Sequence, residues 1–275
     1  MYSPTGEMVF NSNQVATLRI LLASLALLPF GYRAVKRTRI KKDVFYFMIV
    51  SICGNMLPAF LFTFAETGIS SGFAGMLNST TPIFTIFIGF GFFKIKMTWT
   101  QIIGSVIGSI GVVLLLYFGK AVSLQGDWKH IIAVVLATLC YATSLSIIRY
   151  KLSHYKSIDI AAIAFIILLI PSIIIFFLER TWIVFETNQL AWNNFMSISI
   201  LGLIGTAFAL FLFNNIIKNT SALFASSVTY FIPIVAVIIG FFFGEQLSAY
   251  QILSMFIVLL GVFIANFLGI KNSRH

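Results

Sequence analysis

Nine apolar runs, each close to the length that crosses a lipid bilayer, follow one another along the chain with short connections. A helix needs ~20 predominantly apolar residues to span the hydrocarbon core. Only 9% of the residues are charged, whereas soluble domains carry about 25% because their surfaces face water. The sequence therefore predicts an all-α integral membrane protein. The nine predicted transmembrane helices lie near residues 13–32, 44–65, 71–93, 99–119, 128–149, 157–178, 192–216, 220–243 and 248–270.

Basic residues gather in one of the two alternating sets of loops. That set holds most of the 18 Lys and Arg residues, whereas the other set holds only Lys120, Lys129 and Arg180. Cytoplasmic loops of membrane proteins carry an excess of Lys and Arg. The pattern therefore predicts a multi-pass protein of the cell inner (cytoplasmic) membrane, with a cytoplasmic C-terminus and residue 1 on the outer side. It also accounts for the net charge of +10 without a nucleic-acid partner.

Two stretches of the chain repeat the same pattern around a proline. The stretch "STTPIFTIFIGFGFF" (79–93) aligns with "YFIPIVAVIIGFFFG" (230–244) when Pro82 is placed on Pro233. Further matches relate the second, third and fourth runs to the seventh, eighth and ninth. Because this offset of five spans is odd, the two copies cross the membrane in opposite directions. The sequence thus predicts an inverted-topology repeat, an architecture common among secondary transporters.

The fifth run, 128–149, has no counterpart within the chain. In a ten-helix parent built from two five-helix bundles, its counterpart would precede Met1. We therefore predict a first repeat of four helices, 1–119, and an inverted second repeat of five, 128–270. The first helix of the parent is then missing, and we expect an upstream extension to encode it. A natural nine-helix protein is the alternative.

These features resemble the EamA-type transporters of the drug/metabolite transporter (DMT) superfamily. The resemblance rests on "NQVATLRILLASLALLPF" in the first run, "AGMLNSTTPIF" in the third, and "SALFASSVTYFIPIVAVIIGFFFGEQLSAYQIL" leading into the ninth. It covers nearly the whole chain. It departs from the family in the absent first helix and at Phe93-Lys94, where the family often has Gly-Glu.

The resemblance implies a secondary transporter that moves small metabolites across the membrane by alternating access around a central cavity between the repeats. It implies export as the direction, and amino acids or related solutes suit a cavity lined by Asn, Thr, Ser and Tyr. A channel-like protein or a non-transporting membrane scaffold is the alternative. The expected partners are a small-molecule substrate and membrane lipid.

The third and eighth runs each present a stripe of small and polar residues on the face that carries the proline. Such a face permits close approach of another helix, and around a cavity the proline frees backbone carbonyl groups. Tight helix packing and the lining of a substrate pathway both explain the stripes. Pro82 and Pro233 are the predicted helix kinks. The candidate pathway residues are Arg19, Asn78, Thr81, Tyr141, Thr229 and Tyr230.

Two ionisable residues compete for functional roles within the predicted spans. Arg19 lies about two turns into its span, where snorkelling to the outer interface, anion attraction or a gate would each explain it. The family's tendency to carry an Arg at this place implies the functional role. Glu66 ends the second span at the outer face. A coupling residue, a gate and a solvated helix end are the alternative roles for it. Coupling through the missing helix, coupling through Glu66 and facilitated transport stay open as alternatives.

The sequence contains no catalytic or metal-binding constellation. The three histidines lie at predicted span ends or in the tail, and the eight carboxylates lie in loops or at span ends. Cys53 and Cys140 fall within apolar runs without paired spacing. We therefore predict no enzyme activity, no metal and no cofactor. The Gly-x-x-x-Gly spacing in "GSVIGSIG" (104–111) predicts helix packing, either within the chain or in a homodimer.

The predicted orientation can be tested at the basic loop 33–43, which holds six Lys and Arg residues. We expect Arg37→Cys to resist an impermeant thiol reagent in intact cells and to react after permeabilisation, because the loop is cytoplasmic. Lys129→Cys, from the other set of loops, is the control that reacts in both cases. Labelling at position 37 in intact cells would overturn the whole topology.

Overall fold

The computed structural model describes residues 9–37, 42–69, 71–95, 97–118, 127–232, 234–235, 238 and 248–265. Every regular element within these ranges is a helix, which confirms the predicted all-α class. The helices in chain order are α1 (Ser12–Arg37), α2 (Val44–Ala65), α3 (Ser71–Asn78), α4 (Thr81–Phe93), α5 (Trp99–Tyr117), α6 (Trp128–Tyr150), α7 (Ser157–Leu178), α8 (Thr181–Thr187), α9 (Ala191–Asn219), α10 (Ala222–Ser226) and α11 (Ala249–Phe263).

Five helices in the described part of the chain are long and apolar enough to cross a membrane. These helices, α1, α2, α6, α7 and α9, contain 22 to 29 residues each. The bounds of α2 and α7 coincide with the predicted runs, because both runs are flanked by polar and charged residues. These long apolar helices fit a membrane protein.

The third predicted run is two helices rather than one kinked helix. A turn at Ser79 and Thr80 separates α3 from α4, and Pro82 lies in the first turn of α4. A proline is tolerated there because the first N–H groups of a helix have no intrahelical partner to lose. The structure therefore replaces the expected kink at Pro82 with a break just before it. The other predicted kink, Pro233, lies outside the described residues.

The eighth predicted run is also irregular before its proline. Its first helix, α10, begins at a capping residue, since the Ser221 hydroxyl accepts a hydrogen bond of 3.0 Å from the Phe224 N–H. The chain then tightens into a 3₁₀ segment at Ser227–Tyr230. When Pro82 is aligned with Pro233, this segment corresponds to residues 76–79, the end of α3 and the first residue of the turn. Both runs thus leave regular α-helix geometry a few residues before their prolines.

Contacts within the chain divide it into two units. Unit 1 lies within Met1–Phe64 and Ile147–Asn219, and unit 2 lies within Ala65–Ser146 and Thr220–His275. Each unit therefore draws helices from both halves of the sequence.

The core of unit 1 forms where α1 packs along α7. Buried residues of α1, including Ile20 and Leu27, pack against Phe165 and other small and apolar residues of α7. At Gly31 the two helices approach so closely that a Cβ atom would lie 2.9 Å from the Ala162 carbonyl oxygen. The first part of α1 and the two residues Val9 and Phe10 before it pack on α9. This second cluster consists of Val9, Phe10, Leu18, Ala191 and Ile198.

Polar contacts fasten α1 to α7 at both ends. At its first turn, Asn13 Nδ2 donates a hydrogen bond of 2.8 Å to the carboxylate of Glu179, which follows α7. At its last turn, Arg37 Nη2 donates to both carboxylate oxygens of Asp159, which is buried in the first turn of α7. A carboxylate at each of these helix N-termini is favourable because the helix dipole is positive there.

A second polar contact, near Arg37 in the chain, joins the connection between α1 and α2 to the connection between α6 and α7. The Tyr155 hydroxyl, between α6 and α7, donates a hydrogen bond of 2.9 Å to Asp43, which precedes α2. Burial, followed by this hydrogen bond and the Asp43 charge, raises the pKa of Tyr155 to about 12. The phenol therefore stays protonated at physiological pH and keeps donating to Asp43.

Unit 2 is held together by an unusually close contact between α5 and α11. A Cβ atom on Gly261 would lie 2.6 Å from the Gly108 Cα and 2.7 Å from the Gly104 carbonyl oxygen. A Cβ atom on Gly111 would lie 2.7 Å from the Val258 backbone nitrogen. The Gly-x-x-x-Gly spacing of α5 is thus used within the chain, because only glycine leaves room for the facing backbone.

We expect Gly261→Ala to lower the free energy of unfolding by at least about 1–3 kcal/mol, since the added methyl group meets backbone atoms that cannot move aside. The measurement is SDS-induced unfolding in mixed micelles. Gly91→Ala in α4 is the control, because no described atom beyond its immediate helical neighbours lies within 4 Å of a Cβ there. This control should be neutral or gain up to ~1 kcal/mol of helix propensity. Equal effects of the two substitutions would contradict the close packing.

Candidate functional site

The turn between α3 and α4 gathers the polar side chains that the sequence singled out in the third run. Asn78 is 8% exposed and Thr81 is fully buried. The Thr81 hydroxyl donates to the Asn78 carbonyl oxygen at 2.5 Å, with Asn78 Oδ1 3.3 Å away. The Ser79 hydroxyl donates to the Gly75 carbonyl oxygen at 2.9 Å. The Thr81 hydroxyl thus satisfies a carbonyl group that Pro82, which has no N–H, leaves without its helical partner.

The 3₁₀ segment of the eighth run contacts this turn directly. The Ser79 Oγ lies 3.3 Å from the carbonyl oxygen of Thr229. Thr229 is the residue that aligns with Asn78 in the repeat, and its own hydroxyl donates to the Ser226 carbonyl oxygen at 2.8 Å. The side chain of Thr229 is half-buried. The two irregular segments that precede the prolines therefore meet within unit 2.

Tyr230 lies beside this contact as a core residue. Its ring is fully buried and packs on Gly108, where a Cβ atom would lie 3.0 Å from the ring. Its hydroxyl donates to the Ser105 carbonyl oxygen at 2.8 Å and lies 3.2 Å from Ser109 Oγ. Of the two alternatives for this tyrosine, a packed ring with a satisfied hydroxyl describes its surroundings in the structure better than a wall against substrate.

The remaining candidates of unit 2 lie elsewhere on its helices. Tyr141 is half-buried in the middle of α6, and Glu66 is exposed in the turn that follows α2. The structure therefore brings Asn78, Thr81 and Thr229 close to one break. It leaves Glu66 at a helix end, as the sequence indicated.

A feature that the sequence analysis missed is a π-helical turn in each of two helices of unit 1. These turns are Ile52–Met56 in α2 and Leu203–Phe208 in α9. Aligning Gly54 with Gly202, as the repeat requires, makes the two turns overlap. Single π-turns occur frequently at functional sites because they change the direction of nearby side chains.

Each π-turn carries a polar side chain that bonds to the carbonyl group five residues earlier. Asn55 Nδ2 donates to Val50 at 3.1 Å, and the Thr206 hydroxyl donates to Leu201 at 3.1 Å. Asn55 and Thr206 do not occupy equivalent positions of the repeat. Sequence identity between the repeats therefore gave no signal for these turns.

Arg19 lies against the π-turn of α9. A Cβ atom on Gly202 would lie 3.2 Å from the Arg19 carbonyl oxygen, so the two backbones are in close contact. Arg19 Nη2 lies 3.5 Å from Thr206 Oγ1. Its Nε is buried and has no hydrogen-bond partner among the described residues. The structure thus places this charge between two helices of unit 1, where Thr206 is its one hydrogen-bond partner among the described residues.

Comparison with known proteins is consistent with this architecture. The model of the EamA-like transporter family matches residues 5–117 and 128–267 of the chain. A solved crystal structure superposes with a TM-score of 0.70 over 96% of this chain and 90% of its own, at 14% sequence identity. At that identity the likeness shows a shared fold.

Several similar proteins are described as transporters. An uncharacterized transporter of Clostridium kluyveri is 22% identical over 258 residues, covering 91% of this chain and 82% of its own. YedA of Escherichia coli K12, described as an uncharacterized inner membrane transporter, is 25% identical over 260 residues, covering 90% and 79%. YdfC of Bacillus subtilis, an uncharacterized transporter, is 30% identical over 138 residues, which cover 50% of this chain and 43% of YdfC.

Proposed function

The chain belongs to the EamA-like transporter family, and we propose that it is a secondary transporter of small metabolites in the cytoplasmic membrane. The proposed direction is export, and the candidate substrates include amino acids and related solutes. The description of similar proteins as membrane transporters supports the transport of a solute. Catalysis is no part of the proposal, since the family is one of transporters.

We further propose that the chain crosses the membrane nine times as two inverted repeats, 1–119 and 128–270. The described helices follow the predicted runs, including the shorter α4, α5 and α11. The proposed orientation has the C-terminus in the cytoplasm, because the basic residues concentrate on that side of the predicted topology. The π-turns that overlap in the repeat alignment also support the internal symmetry.

The observation that carries the proposal is the contact between the two irregular segments of unit 2. Broken helices are tolerated at membrane depth where protein or a water-filled cavity satisfies the freed backbone groups. In transporters built from inverted repeats, such breaks form the substrate site. Here Ser79 joins the turn of one repeat to the Thr229 carbonyl oxygen of the other. Asn78 Nδ2 donates no hydrogen bond to a described residue and is the proposed substrate contact.

The same break supplies the flexibility that alternating access requires. The Thr81 hydroxyl replaces the helical bond that Pro82 cannot make to the Asn78 carbonyl oxygen. Residues in turns or at helix ends absorb the backbone rotations of such motions, and Ser79 and Thr80 form a turn of this kind. Pro82 keeps the turn in place, since without an N–H it cannot help to join α3 and α4 into one helix.

The test is counterflow of radiolabelled solutes by the purified protein in liposomes, combined with thermal unfolding. We expect saturable counterflow for the full chain, which a channel would not show. For Pro82→Ala we expect a loss of transport of about tenfold or more, with stability unchanged or slightly raised, because the new N–H allows α3 and α4 to join.

Thr63→Val is the control for this substitution. Like Thr81 at the turn, Thr63 donates its hydroxyl to a nearby backbone carbonyl oxygen, that of Ala59 at 2.9 Å. Thr63 lies in α2 and is no part of the turn between α3 and α4. This variant should transport normally. Normal transport per folded molecule in Pro82→Ala would show that the break has no role in the mechanism. Flux that does not saturate would show that the protein is a channel and not a transporter.

A further inference from the structure

No described carboxylate neutralises Arg19. The described acidic residues all lie at helix ends or in connections, and several are already engaged: Asp159 by Arg37, Asp43 by Tyr155, and Glu179 by Asn13. Arg19 forms no ion pair with any of them in the described part of the chain. A guanidinium group held between helices without a counter-charge is costly, so an anion from outside the chain would stabilise it.

The unused hydrogen-bond donors of Arg19 point to the same conclusion. The Thr206 hydroxyl gives its proton to Leu201 and therefore accepts from Arg19 Nη2, at the long distance of 3.5 Å. Arg19 Nε is buried without a partner among the described residues. A guanidinium group has five N–H donors in a planar fork that matches a carboxylate or a phosphate. Among the described residues, only the contact with Thr206 engages this fork.

The direction of the side chain argues against simple snorkelling. The first residues of α1 and α9 pack in one cluster through Phe10 and Ala191, so the two helices start at the same end of unit 1. The backbone of Arg19 contacts Gly202, whereas its guanidinium group reaches Thr206, four residues farther from that end, roughly 6 Å along α9. A snorkelling arginine would turn toward the near end of α1 instead.

We propose that Arg19 binds the anionic group of the transported solute, so that the substrates are organic anions with a net negative charge. This inference rests on the proposed transport function. Arg19 itself supplies the cationic donors, and its described surroundings hold no carboxylate that would bind an ammonium group. Solutes with a net negative charge, among them acidic amino acids, carboxylic acids and phosphate esters, therefore fit the site, whereas solutes with no net charge or a positive charge leave Arg19 or their own charge without a partner.

The test compares acids with neutral or zwitterionic partners of the same shape. The probes are L-glutamate with L-glutamine, succinate with succinamide, and glycerol 3-phosphate with glycerol. Binding is measured as a rise in thermal stability in dodecyl maltoside, which contains no phosphate, and transport as counterflow in phosphatidylcholine vesicles. We expect at least one acid to bind about tenfold or more tightly than its partner. A panel in which no acid exceeds its partner overturns the inference.

Variants locate the preference. Arg19→Gln should abolish the preference for the acid, whereas Arg33→Gln, an exposed arginine of the same helix, should keep it. Equal losses in both variants would mean a general surface potential and would overturn the site. If Arg19→Gln does not fold, Arg19→Lys is measured in its place. We expect this variant to keep the preference for the acid but to bind the acid more weakly, because an ammonium group is a point charge without the planar fork of arginine. Unchanged acid affinity in Arg19→Lys would contradict the proposal.

Two further outcomes separate the possible failures. Stabilisation by added phosphatidylglycerol that depends on Arg19, with none by the soluble acids, would assign the site to a lipid phosphate and overturn the substrate proposal. Counterflow of neutral solutes alone would overturn the anion site and leave the transporter standing. Binding of an acid in detergent, with no counterflow of any probe, would contradict the proposed transport function instead.

Discussion

The need to satisfy backbone hydrogen bonds without water governs this protein. In a lipid environment an unpaired N–H or C=O group is costly, so a spanning segment is helical unless other groups of the protein replace the lost bonds. The departures from the α-helix are therefore informative. They are the turn at Ser79 and Thr80, the 3₁₀ segment Ser227–Tyr230, and the π-turns Ile52–Met56 and Leu203–Phe208. At each one a polar side chain bonds to a backbone carbonyl group, which indicates a built feature rather than a defect.

Hydropathy predicted the helices well where charged or polar residues flank an apolar run. The bounds of α2 and α7 could be read from the sequence for this reason. Hydropathy could not predict that the third run divides into two helices, because it indicates whether a segment prefers lipid or water and carries no information on backbone angles. Pro82 signalled an interruption, but a proline disturbs a helix least in its first turn. The break accordingly lies before the proline, at residues that are themselves compatible with a helix.

The candidate site was partly predictable because the repeat relates Asn78 to Thr229, and the structure brings their segments into contact through Ser79. The environment of Arg19 was not predictable, since it depends on Gly202 and Thr206, which lie far away in the chain. The π-turns also left no sequence signal. The break in unit 2 and the charge of Arg19 in unit 1, which no described carboxylate neutralises, thus contribute different properties to the proposed transport: the break gives flexibility, and the charge selects the solute.

Accessibility of the break from both sides of the membrane tests the account most directly. Asn78→Cys, in a chain whose Cys53 and Cys140 are replaced by Ala, should react with an impermeant charged thiol reagent in vesicles of either orientation. A transported solute should slow the reaction, because it occupies the same position. Phe87→Cys, from a 67% exposed side chain in the middle of α4 that the proposed topology places against lipid, should stay unreactive. An Asn78→Cys protein that reacts from one side only, or is indifferent to solute, would contradict alternating access at this break.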